Sequence, residues 1–205
     1  MEQEAREAII NLRQQLEAYI RSNPLFQTSL VPFPADPLAP KIVKEMLTAA
    51  QQARVGPMAG VAGAIAEFVG AALLAFTPEV VVENGGDIFL KTGAARTIGV
   101  FAGASPLTMR VGIRIPADRQ PLGVCTSSAT VGPSLSLGKA DAVCVISPSA
   151  TLADAAATAL GNMVQGKGDI EPALEAGQKI PGVEGAVIIV GDALGAWGGY
   201  ELVKL

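Results

Sequence analysis

The sequence predicts an α+β fold in which N-terminal helices precede a mainly antiparallel sheet that is packed with helices. Apolar residues recur at three- and four-residue steps through the first fifty positions, as in amphipathic helices. From residue 79 onwards, β-branched runs alternate with turn residues. One late helix then separates the strands without a regular β–α–β repeat, which argues against a parallel sheet. We therefore expect a single domain over 1–205, with an N-terminal helical part (1–55) and a core (56–205).

Three helices are predicted before the first strand. The first covers 2–22 and ends at Asn23, because the residue before a proline avoids helical angles. Four prolines between Pro32 and Pro40 predict an extended connector, after which a second helix carries a one-sided apolar pattern. The third helix, over 57–75, is rich in small residues and apolar almost all round, so we expect it to be buried.

The remaining elements are predicted from β-branched runs and from one further helical stretch. That helix covers 150–164. Strands are predicted over 79–83, 87–90, 96–102, 107–115, 142–147, 186–190 and 200–204.

The composition excludes several classes of function. A net charge of −4 and an isoelectric point near 4.9 argue against nucleic-acid binding, which needs clustered lysine and arginine. The chain contains no histidine, so Ser-His-Asp catalysis and imidazole–zinc sites are unavailable. Any bound metal is expected to be a hard cation held by oxygen atoms, such as Mg²⁺ or Ca²⁺.

The chain also lacks the patterns of export and membrane insertion. Its acidic first residues are unlike a targeting signal, which predicts a cytoplasmic location. The most apolar window, Gly60 to Phe76, is short for a membrane span and contains Glu67, so no membrane partner is expected. Cys125 and Cys144 are too far apart for a CxxC motif and are predicted to be buried structural residues.

A tight hairpin is the first candidate site. Asn84, Gly85, Gly86 and Asp87 separate two β-branched runs, and the two glycines supply the positive backbone angles of such a turn. Adjacent glycines also let backbone N–H groups approach a phosphate or a flat ring. Taken alone, the motif favours a plain β-turn over a binding element.

The start of the helix predicted over 150–164 is the second candidate. Asp154 and Thr158 are four residues apart, so both project from one face and offer a carboxylate and a hydroxyl to a hard cation. Thr151 and Asp154 also fit a capping box, and Thr158 fits a back-bond to the carbonyl of Asp154. Spacing alone favours the cap.

The start of the third helix is a further candidate. Gly56 and Pro57 precede a small-residue helix whose N-terminus could hold an anion, although such helices more often pack closely. Glu67 is expected at a solvated edge rather than as a buried acid.

Four segments together resemble the ApbE family, the FAD:protein FMN transferases, and in particular an uncharacterised branch described as thiamine-biosynthesis related. The matching segments follow one another in the family's order: Gly56–Val69, Val82–Phe89, Gly123–Ser128 and Ala153–Leu160. The resemblance implies an ApbE-like, T-fold-like architecture with Mg²⁺ and FAD as cofactors. It implies metal ligands at Asp154, Thr158 and the Ala62 carbonyl, and flavin-nucleotide contacts at Asn84, Gly85, Gly86, Asp87, Thr126, Ser127 and Ser128.

The chain departs from the family at positions that concern transfer. Gly63 stands where the family has a lysine, and a shorter segment over 132–141 replaces its His-Ile-x-Asp-Pro motif. Three functions are therefore weighed. The first is a protein that binds a flavin or related nucleotide with a divalent metal, the second a Mg²⁺-dependent FMN transferase that releases AMP from FAD, and the third an oligomeric protein without a small-molecule site.

Overall fold

The computed structural model describes residues 1–132 and 136–205, which form helices and two antiparallel sheets. The helices are α1 (Glu2–Ser22), α2 (Pro24–Thr28), α3 (Lys41–Ala53), α4 (Val61–Leu73), α5 (Ala150–Met163) and α6 (Ile170–Gly177), with short 3₁₀ turns at Pro57–Gly60, Ala117–Arg119 and Lys167–Asp169. The strands are β1 (Val80–Asn84), β2 (Asp87–Lys91), β3 (Arg96–Gly99), β4 (Val111–Ile115), β5 (Leu122–Ser127), β6 (Ala142–Ser147), β7 (Gly185–Val190), β8 (Ala193–Gly198) and β9 (Glu201–Lys204).

The two sheets confirm the predicted α+β class. The larger has the strand order β1-β2-β5-β6-β7-β8 and the smaller has the order β3-β4-β9. Every neighbouring pair of strands in both sheets is antiparallel. The smaller sheet packs on one face of the larger, and α5 packs on the other.

Two strands that the sequence analysis missed, β5 and β8, both contain glycine. β5 lies inside the larger sheet between β2 and β6. A Cβ on its Gly123 would lie 2.6 Å from the Cβ of Ala150, so this glycine allows α5 to approach the sheet. In β8, a Cβ on Gly195 would lie 3.0 Å from a methyl carbon of Leu174 in α6, a helix that was also missed. Close helix packing thus explains glycines that weakened the strand pattern.

The two cysteines lie on opposite faces of the larger sheet. Cys125 packs in the cluster beside α5, and Cys144 packs in the cluster beside the smaller sheet. Both are free thiols and both are buried, as predicted.

The N-terminal helices form a separate apolar cluster with α4. Tyr19, Phe26 and Phe33 meet edge to face, and the Tyr19 hydroxyl donates a hydrogen bond to Asp36 at 3.1 Å. In the described part of the chain, no helix alone has the length and apolarity of a membrane span; α3 with Pro57–Leu73 passes only as a pair bent by 107°.

Helices α4 and α5 cross at a contact that requires glycine. A Cβ on Gly63 would overlap the carbonyl group of Ala150 and lie 2.8 Å from the Cβ of Asp154. A Cβ on Gly60 would lie 2.9 Å from the carbonyl oxygen of Thr151. Close packing, the more common role of small-residue helices, therefore accounts for this segment.

We expect Gly63→Ala to destabilise the protein by roughly 1–3 kcal/mol, because the added methyl group forces the crossing apart. Alanine normally stabilises a helix by about 1 kcal/mol relative to glycine. At this crossing we expect the opposite sign for the change in the free energy of unfolding. Urea unfolding measures the change. Gly168→Ala is the control, since its Cβ would meet no atom within 4 Å. A stabilised Gly63→Ala variant would contradict the packing argument.

Candidate functional site

A pocket of about 390 Å³ opens where the β1–β2 hairpin, the end of β5, the start of α5 and the smaller sheet meet. Residues from all four of these places form its wall. They are Glu83, Gly85, Gly86, Asp87, Ile88, Thr97, Ile98, Gly99, Phe101, Thr126, Ser127, Ser128, Val131, Gly132, Asp154 and Thr158. Eight of the candidate residues predicted from sequence therefore lie on one surface, although they come from three separate segments.

The hairpin turn has the backbone that its two glycines predict. Gly85 and Gly86 have φ angles of 65° and 104°, and Asn84 pairs with Asp87 across the turn. A side chain at either glycine would be strained, so the tight turn requires them. The turn places Asp87, the first residue of β2, on the pocket wall.

Asn84 and Ala62, two other predicted site residues, contact each other outside the pocket wall. The Asn84 side-chain amide donates a hydrogen bond to the Ala62 carbonyl oxygen at 3.1 Å. This bond ties the hairpin to the first turn of α4. The carbonyl that the resemblance assigns to a metal thus already accepts the Asn84 amide, and its place in the first turn of α4 also directs it at the helical N–H four residues on.

Asp154 caps a neighbouring helix rather than its own. Its carboxylate accepts a hydrogen bond from the Gly63 backbone N–H in the first turn of α4, at 2.9 Å and 91 residues away in sequence. The N-cap of α5 is Ser149, whose hydroxyl accepts from the Leu152 N–H at 3.2 Å. The capping-box interpretation was therefore wrong: α5 begins one residue before Thr151, so Asp154 lies too far into the helix to cap it.

Glu67 makes the reciprocal contact: from α4 it accepts hydrogen bonds at the start of α5. One of its carboxylate oxygens accepts hydrogen bonds from the Thr151 N–H (2.9 Å), the Thr151 hydroxyl (2.9 Å) and the Ser149 hydroxyl (3.0 Å). The expected solvated edge position was wrong, because Glu67 satisfies the free N–H groups at the start of α5. Each helix thus supplies an acidic side chain to the N-terminus of the other.

Asp87 and Asp154 form an electrostatically strained pair of carboxylates. Burial raises the pKa of Asp87 to about 7, and the neighbouring Cys125 thiol and Thr126 backbone oppose this shift only in part. Burial and the charge of Asp87 raise the pKa of Asp154 well above its ordinary value, against the lowering effect of the Gly63 and Ala62 backbone. Two like charges in a poorly solvated place disfavour each other's ionised form.

Hydroxyl groups line the same pocket as these carboxylates. Thr158 lies one helical turn after Asp154 and also reaches the pocket. Among the described residues its side chain makes no back-bond to the Asp154 carbonyl, unlike Thr48, which bonds to the carbonyl of Lys44 at 2.9 Å. Thr126, Ser127 and Ser128 complete this polar end of the pocket.

The loop after β5 is shaped by Ser128. Its hydroxyl accepts hydrogen bonds from the backbone N–H groups of Thr130 (3.1 Å) and Val131 (3.0 Å). The segment over 132–141, which replaces the family's histidine motif, begins here. Residues 133–135 of that segment lie outside the described part of the chain.

The pocket wall also contains Phe101, which the sequence did not identify as a site residue. Phe101 lies in the loop after β3 and lines the pocket. It is 52% exposed, which is unusual for a large apolar side chain. Ile98 and Gly99 extend this wall. Sequence offers little signal for such a residue, because a single phenylalanine in a loop has no spacing pattern.

The oxygen atoms at the polar end suit a hard divalent cation. The residues that the structure describes contain no group of three or more Asp, Glu, Cys or His side chains that could hold a metal. Mg²⁺ is commonly held by one or two carboxylates, with water and ligand phosphates completing its shell. Two carboxylates and one hydroxyl fit that pattern, and a buried carboxylate oxygen without a hydrogen-bond partner, Asp87 Oδ1, fits it further.

Comparisons with known proteins agree with the resemblance seen in the sequence. The family model described as AbpE bacteria matches residues 1–199. A UPF0280 protein of Methanocella arvoryzae is 44% identical over 193 residues, covering 94% of this chain and 78% of that protein. A UPF0280 protein of Methanocaldococcus jannaschii is 45% identical over 206 residues, covering 98% and 84%.

A solved structure shares the fold at low sequence identity. The ApbE protein of Thermotoga maritima superposes with a TM-score of 0.52 and 19% identity, over 69% of this chain. The matched region is 50% of that protein, so the chain spans half of its length. This similarity supports the ApbE-like architecture and nothing finer.

The carboxylate pair predicts how stability depends on pH. The raised pKa of Asp87 means that between about pH 4 and pH 7 the folded protein holds a proton that the unfolded chain releases. Stability of the metal-free protein should therefore fall as pH rises through this window, by at most on the order of 4 kcal/mol. Urea unfolding in the presence of EDTA at several pH values measures the slope.

Asp87→Asn should flatten this slope, because it removes one titrating group and also the charge that raises the pKa of Asp154. The exposed Asp118 supplies the control variant, Asp118→Asn, which should keep the slope of the unmodified protein. Equal slopes in the Asp87→Asn and unmodified proteins would contradict the strained pair.

Proposed function

The chain belongs to the family described as AbpE bacteria, and from that premise we propose that its pocket binds a flavin nucleotide together with a divalent cation. One observation carries the proposal. Two carboxylates, a set of hydroxyls and an exposed aromatic ring, drawn from distant segments, converge on one pocket of about 390 Å³. A flavin nucleotide combines a flat ring with phosphate, which matches these two chemically different ends.

A bound cation would allow a phosphate group to bind at the acidic end of the pocket. Asp87 and Asp154 would repel a phosphate group, since like charges in a poorly solvated site interact strongly. A divalent cation between the carboxylates and the phosphate attracts both groups, so the repulsion between them is replaced by attraction to the cation. Thr158, one turn along α5 from Asp154, offers a further oxygen to the cation.

The apolar wall suits the ring of the ligand. Phe101 presents a half-exposed ring on the pocket wall, which it shares with the apolar side chain of Ile98. A flat heteroaromatic ring gains stacking energy on such a surface. The glycines of the hairpin, Gly85 and Gly86, allow a flat ring to approach the backbone closely.

Binding without transfer is favoured by the residue at position 63. A side chain there would overlap the Ala150 carbonyl group, so the family's lysine has no room at this crossing. The chain also lacks the histidine motif of the family. We therefore propose a binding protein in preference to an FMN transferase.

We expect Phe101→Ala to weaken FMN binding about 10-fold in the presence of Mg²⁺, because stacking on an aromatic side chain contributes roughly 1–3 kcal/mol per ring. Titration of FMN with protein, followed by quenching of flavin fluorescence, gives the dissociation constant. Phe76→Ala is the matched control, since Phe76 is 63% exposed and lies outside the pocket.

Three outcomes separate the candidate functions. Failure of the unmodified protein to bind FMN or FAD with Mg²⁺ would overturn the proposal. Equal losses of FMN affinity in the Phe101→Ala and Phe76→Ala variants would show that Phe101 does not contact the flavin ring. Release of AMP from FAD and Mg²⁺, abolished by Asp154→Ala, would replace binding by catalysis; we expect FAD to remain intact in chromatograms of the reaction mixture.

A further inference from the structure

We propose that Asp87 is a direct ligand of the divalent cation, and that with Asp154 it forms a two-carboxylate site that takes up the cation before any nucleotide binds. The inference deepens the proposed function, on which it rests for the identity of the pocket. It assigns to Asp87 a role different from the flavin contact that the family resemblance implies.

The first observation is a buried oxygen atom without a partner. Asp87 is only 7% exposed, and its Oδ1 atom has no hydrogen-bond partner. A buried acceptor in this state is unfavourable, and more so when it is charged. Such an atom on a pocket wall indicates a ligand that supplies the missing contact.

The Cys125 thiol and the Thr126 backbone contact the Asp87 carboxyl group and offset part of its raised pKa, but neither gives Oδ1 a hydrogen bond. The Cys125 thiol, which lies close to Asp87, donates its hydrogen bond to the Ala150 carbonyl oxygen at 3.3 Å. No ion pair among the described residues includes Asp87 or Asp154. The two carboxylates thus face each other's charge without a counterion from the protein.

The second carboxylate is held in place independently of any ligand. Asp154 Oδ2 accepts the Gly63 N–H at 2.9 Å, which fixes the side chain at the pocket wall. Asp87 is fixed at the same wall by the hairpin that Asn84 ties to Ala62. A pre-positioned pair of this kind lowers the ordering cost of binding an ion.

The Ala62 carbonyl is a poorer ligand than Asp87 in this chain. It lies outside the pocket wall and already accepts the Asn84 amide. Asp87, by contrast, lies on the wall and has a carboxylate oxygen without a hydrogen-bond partner. We therefore assign two carboxylates and the Thr158 hydroxyl to the cation, with water completing the shell until a phosphate arrives.

Titration of the nucleotide-free protein with Mn²⁺ tests the assignment. Calorimetry measures the affinity, and the electron paramagnetic resonance signal of free Mn²⁺ counts the bound ions. We expect one bound ion in the unmodified protein and at least a ~10-fold loss of affinity in Asp87→Asn, which keeps the side-chain size but removes the charge. Asp118→Asn, an exposed control, should bind as tightly as the unmodified protein.

A second variant guards against misfolding. Asp87→Ser removes the carboxylate without adding volume. Of Asp87→Asn and Asp87→Ser, the variant that keeps the thermal unfolding profile of the unmodified protein is used to compare Mn²⁺ affinities. Mn²⁺ affinity within two-fold of the unmodified protein in that variant would overturn the assignment. Failure of the unmodified protein to bind Mn²⁺ without nucleotide would overturn it as well.

FMN titration in the same samples separates this inference from the proposed function. Flavin binding with an unchanged Mn²⁺ affinity in the Asp87 variants would leave the proposed function standing and remove Asp87 from the cation site. Mn²⁺ binding that depends on Asp87 without any flavin binding would support the cation site and overturn the proposed function.

Discussion

The crossing of α4 and α5 positions the whole candidate site. At this crossing each helix donates N–H groups to an acidic side chain of the other: Gly63 to Asp154, and Thr151 to Glu67. Helix N-termini carry partial positive charge, so each contact is favourable in both helices. The exchange is possible only because glycine at positions 60 and 63 lets the helices touch.

The same crossing connects the two segments that carry the acidic side chains of the pocket. Asp154 reaches the pocket from α5, while the first turn of α4 holds the hairpin through the bond from Asn84 to Ala62. Asp87 is thereby brought beside Asp154 with no counterion from the described residues. The fold thus holds two acidic groups in an arrangement that is unfavourable by itself, and such strained groups are more frequent at functional sites than elsewhere in proteins.

The sequence predicted the parts of this arrangement that depend on local patterns. The two-glycine turn, the helix carrying Asp154 and Thr158, and the antiparallel class all follow from spacing and β-branched runs. β5 was missed because Gly123 serves the approach of α5 and dilutes the strand pattern. The capping interpretation of Asp154 failed because its partner is 91 residues away, beyond any local rule. Phe101 was missed because its significance comes from the pocket that it faces.

The central claim is that a divalent cation and a flavin ring occupy the two ends of one pocket. Crystals grown with Mn²⁺ and FMN test it directly, since manganese gives an anomalous scattering signal. We predict one anomalous peak between the carboxylates of Asp87 and Asp154, with density for the ring against Phe101. A map with flavin or manganese bound elsewhere on the protein, and an empty pocket, would contradict the account.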